Sequence, residues 1–247
     1  MPAKIWNVFI NSLFWTFFAV SSLILVIIGA VIRVVTAPLD PNRRVLQKFS
    51  CFWASLYIWL NPFWLAVIKG LENVDRRKAY VMISNHQSMA DILIVFRTFL
   101  HFKWVAKRSL FKVPLLGWNM WLNGYVPIER SDATSRDQCL DACRAWLKKG
   151  SSIFFFPEGT RSPDGQMKPF KVGAFRLALQ SGADILPIII RGSRNAIPKH
   201  SRLLNGKSRM SLEVLPPIPL TGFDGTRLEE ESKRLAVYVF QKMQDAF

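Results

Sequence analysis

A chain of 247 residues, half of them hydrophobic, can bury one full core and still have apolar surface left over. Its 33 lysines and arginines against 17 acids give a formal net charge of +16, which points to an anionic partner. Three cysteines and three histidines exclude a disulfide framework and a zinc ligand set, so a reducing, cytoplasm-facing body with no metal is expected.

From Ile5 to Ile32 there is no charged residue. The run exceeds the roughly 20 apolar residues that cross a bilayer, and the about 7–15 of a signal-peptide core, so no cleaved signal is expected. A polar link from Arg33 to Lys48, with Pro38 and Pro41, leads to a second uncharged run, Phe49 to Ile68. Residues 1–70 therefore read as a membrane-anchoring hairpin of two helices, and residues 71–247 as a following domain. Trp53, Tyr57, Trp59 and Trp64 suit a membrane interface. The apolar runs make an anionic membrane surface, not nucleic acid, the expected partner for the positive charge.

The second region alternates strand-like and helix-like segments. Ala79–Ser84, Ser152–Phe156 and Ile185–Ile190 read as buried strands, with Tyr125–Ile128 and Ser211–Leu215 as further strands. Asp132 to Lys149 reads as a helix, because Cys139, Leu140, Cys143, Trp146 and Leu147 share one face and Gly150 can stop it. After Pro216, Pro217 and Pro219 the chain ends in a charged amphipathic helix. The expected fold is α/β: a mostly parallel or mixed β-sheet flanked by helices, with ligands at the carboxyl ends of its strands. Between Asp184 and Glu213 there is no acid, but there are Arg191, Arg194, Lys199, Arg202, Lys207 and Arg209. That stretch reads as a solvated basic loop, a headgroup contact or a dock for an acidic carrier protein.

Three segments carry candidate chemistry. Asn85-His86-Gln87-Ser88-Met89-Ala90-Asp91 follows a buried strand. A histidine in the turn before a helix, with an aspartate in its first turn, can form a base held by a carboxylate. The same residues also read as a turn histidine beside a Ser88-x-x-Asp91 helix cap. Phe156-Pro157-Glu158-Gly159-Thr160-Arg161-Ser162 again follows a strand and clusters backbone N–H groups, a hydroxyl and a guanidinium, with Lys168 and Lys171 close behind. Its alternative is a structural turn in which Glu158 pairs with Arg161. Lys107 to Arg130 reads as a loop and short helix leading into a strand, with basic ends and with the Trp118, Trp121 and leucine positions read as core packing. No nucleophile elbow, Walker loop or dinucleotide fingerprint occurs. Without a covalent nucleophile site the simplest chemistry is direct, with His86 removing the proton of an attacking hydroxyl.

These segments together resemble the glycerolipid acyltransferases that carry an H-x-x-x-x-D motif, most closely their bacterial 1-acylglycerol-3-phosphate-acylating members. Asn85, His86 and Asp91 match the first block. Lys107, Pro114, Gly117, Ile128 and Arg130 match the second. Phe156 to Ser162 match the third, and Ile185-Leu186-Pro187-Ile188 the last. The resemblance implies His86 as general base and Asp91 as its orienting partner. It implies Lys107 and Arg161, with Arg130, as the acceptor-phosphate site, and Glu158, with Gly159 and Thr160, as acceptor-positioning residues. One departure is Ser109, where many members carry glutamate. The implied reaction moves an acyl group from acyl-coenzyme A or acyl carrier protein, a co-substrate and not a bound cofactor, to the 2-hydroxyl of lysophosphatidic acid. Another lysophospholipid or glycerol 3-phosphate is the alternative acceptor, and a non-enzymatic basic membrane-binding protein the reading from a different class.

The link carries Arg33, Arg43, Arg44 and Lys48 against Asp40, and positive loops prefer the cytoplasm. Asn61-Pro62 would free backbone groups inside lipid. A monotopic hairpin on the cytoplasmic face of the cell inner membrane is therefore expected, or a single span by the first helix.

Overall fold

The computed structural model describes residues 2–197 and 207–247, with side chains from residue 9 onward. Lys199 and Arg202 of the expected basic loop lie outside the described residues. The elements in chain order are α1 (Pro2–Thr36), α2 (Arg44–Trp59), β1 (Trp64–Lys69), β2 (Val81–Ser84), α3 (Ala90–Phe96), β3 (Phe102–Lys107), α4 (Leu116–Asn123), β4 (Val126–Ile128), α5 (Ala133–Lys148), β5 (Ser152–Phe155), α6 (Gly173–Ser181), β6 (Ile185–Arg191), β7 (Ser208–Val214) and α7 (Leu228–Ala246).

The strands form one seven-stranded sheet in the order β1-β7-β6-β2-β5-β3-β4. From β6 to β4 every neighbouring pair is parallel, so these five strands present their carboxyl ends along one edge. β7 runs antiparallel to β6 and takes the parallel β1 with it, which makes the sheet mixed. Helices cover both faces, and the side-chain period of two sorts each strand between them. Met82, Trp104 and Phe154 pack with α2 and α3 on one face. Val81, Ile83, Ile153 and Phe155 pack against α5, α6 and α7 on the other. Burial on both faces explains why these strands are continuous apolar runs.

Two strands fall outside the sequence expectation. The second apolar run is not one helix. It ends at Trp59, before Asn61-Pro62, and Trp64–Lys69 continues as edge strand β1 paired with β7. Cys51, Ala54 and Ile58 of α2 are buried in the same core as the sheet, so α2 and β1 belong to the α/β core although they precede residue 70. The interfacial placement of the aromatics needs correction as well. Trp53, Tyr57 and Trp64 are buried within the protein, and only Trp59 is exposed. Trp53 Nε1 donates to the Tyr57 hydroxyl at 2.7 Å, and Ser22 of α1 meets that hydroxyl at 3.1 Å, so these rings join α1 to α2.

β3 escapes a hydrophobic scan because it carries Lys103. This lysine is fully buried, yet its Nζ donates to the carbonyls of Asn42 at 2.8 Å and Asn123 at 2.9 Å and lies 4.6 Å from the Trp146 ring centroid. Burial is the main cause that lowers its pKa to about 7.

The link between α1 and α2 is fastened to the body. Asn42 Nδ2 donates to the Lys149 carbonyl at 2.6 Å, Arg44 to the Gly150 carbonyl at 3.2 Å, and Arg43 to the Trp121 and Leu122 carbonyls at 2.9 Å. Link and body therefore lie on one side of any membrane. Among the described residues α1 alone is long and apolar enough to cross one, over Phe9–Thr36. Its outer face leaves Leu13, Val20, Ile27 and Val34 more than half exposed.

Candidate active site

The carboxyl ends of β2 and β5, neighbours in the sheet, deliver the two main segments to one place. β2 ends at Ser84, and Asn85 leaves it fully buried. Its side chain exchanges two hydrogen bonds of 2.8 Å with the Ile190 backbone on β6. That clamp fixes the start of the turn. His86 follows, and α3 begins at Ala90 with Asp91 in its first turn.

His86 Nδ1 lies 2.7 Å from Asp91 Oδ2. The same oxygen accepts the backbone N–H groups of Gln87 at 2.7 Å and Ser88 at 2.8 Å. The carboxylate thus ties the turn before the helix to the imidazole, but α3 is capped at Met89 without a side-chain bond, so the reciprocal Ser88-x-x-Asp91 box is not formed. Asp91 has no exposure, whereas the His86 side chain is 17% exposed. With Nδ1 turned to the carboxylate, Nε2 is the nitrogen left for chemistry. The ring stacks on Phe156 at a centroid separation of 3.9 Å, and Phe156 stacks in turn on Trp104. Spacing gave no signal for this contact, since Phe156 reads only as the end of an apolar strand.

The turn after β5 is tied to the first segment at two points. Glu158 Oε1 accepts the His86 N–H at 2.9 Å, and the Ser162 N–H donates to the His86 carbonyl at 2.8 Å. Glu158 Oε2 accepts the Lys168 N–H at 3.3 Å. Glu158 is buried and does not pair with Arg161, which settles the alternative raised by the sequence. Burial outweighs the two N–H donors and pushes its carboxyl up to about 7. Gly159 sits at φ 76°, where a side chain would be strained and would press on Lys171.

Cations approach from the neighbouring strands. Lys107 ends β3 opposite Ile128 at the end of β4, on the same sheet edge. Lys107 is exposed and Arg161 half-buried, and neither side chain has a hydrogen bond or ion pair among the described residues. Thr160 is exposed beside Arg161. Arg130 differs, since its guanidinium donates to the Gly159 carbonyl and so supports the turn. Gly117 is required by packing, because a Cβ there would run into the Phe111 carbonyl. The aromatics Trp118 and Trp121 are not core residues. They are exposed, together with Leu110, Val113 and Leu116, on the segment that packs beside α1.

Fold and site define an α/β protein with a histidine–carboxylate pair at the carboxyl edge of its sheet. The acyltransferase family profile matches residues 66–191, and the chain belongs to that family. It is 39% identical over 181 residues to a chloroplastic 1-acyl-sn-glycerol-3-phosphate acyltransferase of Arabidopsis thaliana, covering 72% of this chain and 50% of that protein. It is 34% identical over 163 residues to the 1-acyl-sn-glycerol-3-phosphate acyltransferase of Pseudomonas aeruginosa, covering 62% of this chain and 60% of that one. The chain thus spans about half the length of the plant relative. In fold it is similar to the crystal structure of the 1-acyl-sn-glycerophosphate acyltransferase PlsC from Thermotoga maritima, with a TM-score of 0.73, 24% identity and 98% of both chains covered.

Proposed function

We propose that the protein transfers a fatty acyl group from a thioester, acyl-coenzyme A or acyl carrier protein, to the 2-hydroxyl of 1-acylglycerol 3-phosphate, giving phosphatidic acid. The observation that carries this reading is the 2.7 Å contact of His86 with buried Asp91, on the sheet edge where β3 ends at Lys107 and the turn after β5 carries Arg161. The names of the relatives agree with it.

His86 Nδ1–H donates to Asp91, and Nε2 takes the proton of the acceptor hydroxyl. The hydroxyl oxygen bonds to the thioester carbonyl carbon, the carbon–sulfur bond breaks, and the proton passes from Nε2 to the departing sulfur. Asp91 stabilises the imidazolium that forms in between. Lys107 and Arg161 hold the acceptor phosphate by charge-assisted hydrogen bonds. Glu158 positions the acceptor end by fixing the His86 backbone, and Gly159 and Thr160 shape the turn beside it. Arg130 supports that turn through Gly159.

A monotopic placement on the cytoplasmic leaflet suits this chemistry. α1 packs beside α4, and both leave apolar side chains exposed, with Leu110, Val113, Trp118 and Trp121 following Lys107 in the chain. A lipid acceptor could enter from the leaflet while the donor arrives from water. The test is a radiolabelled acyl-transfer assay on lysophosphatidic acid, lysophosphatidylcholine, glycerol 3-phosphate and monoacylglycerol. Preferred acylation of lysophosphatidic acid supports the proposal, and absence of transfer to any acceptor overturns it.

A further inference from the structure

A cavity of about 250 Å³ opens at the other end of the sheet, between the first turns of α2 and the amino ends of β2, β5 and β6. It is far in the fold from His86, which follows the carboxyl end of β2. Four cations line it: Arg44 and Lys48 from α2, and Arg76 and Lys78 from the loop before β2. No carboxylate is among its lining residues. Lys48 and Lys78 have no ion pair among the described residues. The floor is apolar, with Met82 and Leu186.

Two of the lining residues, Gln47 and His101, each keep a buried nitrogen without a partner. Gln47 is 1% exposed, and its Oε1 accepts the Tyr125 hydroxyl at 2.8 Å, while its Nε2 has no hydrogen-bond partner. His101 meets the Ser151 hydroxyl through Nε2 at 2.9 Å, and its buried Nδ1 is likewise without a partner. A buried amide donor left unpaired is costly, and native folds rarely leave one so. The surrounding cations would neutralise the charge of an anion seated in the cavity.

We infer that this cavity is a second anion site that takes a phosphate group, on a lipid headgroup or free in solution. It is separate from the phosphate contacts assigned to Lys107 and Arg161 and does not depend on them. Phosphate fits because it offers several acceptor oxygens to several donors and carries the charge that four cations attract.

The test uses the full chain in neutral detergent, carrying Lys107→Ala and Arg161→Ala so that the catalytic edge does not contribute. Binding of short-chain phosphatidic acid, short-chain phosphatidylcholine and inorganic phosphate is titrated by calorimetry, with and without the further pair Arg76→Ala and Lys78→Ala. Both residues are exposed, and unchanged thermal melting checks that the fold survives. Saturable binding of phosphatidic acid or inorganic phosphate that weakens at least about ten-fold in the Arg76/Lys78 variant supports the site. Tighter binding of phosphatidic acid than of inorganic phosphate assigns it to a headgroup, and equal binding assigns it to free phosphate. Absence of saturable binding, or the same affinity with and without Arg76 and Lys78, overturns the inference.

Discussion

The His86 N–H donates to Glu158 Oε1 at 2.9 Å, so a buried carboxylate from the turn after β5 holds the backbone of the candidate base after β2. The carboxyl of Glu158 titrates near 7 in the fold, raised by burial from an ordinary 4.5. Between those values the folded chain keeps a proton that the unfolded chain has lost, so stability falls as pH rises through that window. Glu158→Gln removes this dependence. The melting temperature of the unmodified protein, relative to Glu158→Gln, should therefore drop from about pH 5 to about pH 7 and level off above. A difference that does not change with pH would contradict the assignment.

Lys107→Ala and Arg161→Ala each remove one charge-assisted contact, worth roughly 1.5–3 kcal/mol. Each should raise the KM for the phosphorylated acceptor by about 10-fold or more and leave the KM for the thioester donor nearly unchanged. Steady-state kinetics with both substrates varied will show this. Equal effects on donor and acceptor would remove the basis for a phosphate site.

Asn85→Ala leaves the Ile190 N–H buried without its acceptor, which should cost about 1–3 kcal/mol of stability. It also releases the turn that carries His86, so kcat should fall while the acceptor KM stays close to normal. Chemical denaturation and kinetics on one preparation would test both parts, and an intact kcat would separate the clamp from catalysis.

The contacts of Asn42 and Arg44 with the Lys149 and Gly150 carbonyls set a topological expectation. Single cysteines placed near residue 40 and at the C-terminus should label from the same, cytoplasmic, side of sealed vesicles. Labelling of the two positions from opposite sides would be incompatible with those contacts.

Much of the candidate site was legible because its residues are local in sequence. His86 and Asp91 share one strand-to-helix turn, and Glu158 to Arg161 share another. The buried strands β2, β5 and β6 stand out as apolar runs. What escaped depends on partners distant in the chain. Lys103 hides β3, since only the carbonyls of Asn42 and Asn123 make a buried lysine tolerable there. β1 is hidden inside an uncharged run because its strand character comes from pairing with β7, more than 140 residues away. Trp53 and Tyr57 looked interfacial, and their burial follows from the packing of α1 on α2. Phe156 against His86 is a contact between two strand ends that neither segment announces alone.

The central claim is that His86, held by Asp91, acts as the base in direct acyl transfer. Turnover of His86→Ala, measured with saturating lysophosphatidic acid and acyl-coenzyme A or acyl carrier protein, tests it most directly. The account predicts a loss of about 100-fold or more with the fold intact by thermal melting, and a comparable defect for Asp91→Asn. Near-normal turnover of a folded His86→Ala protein would contradict it.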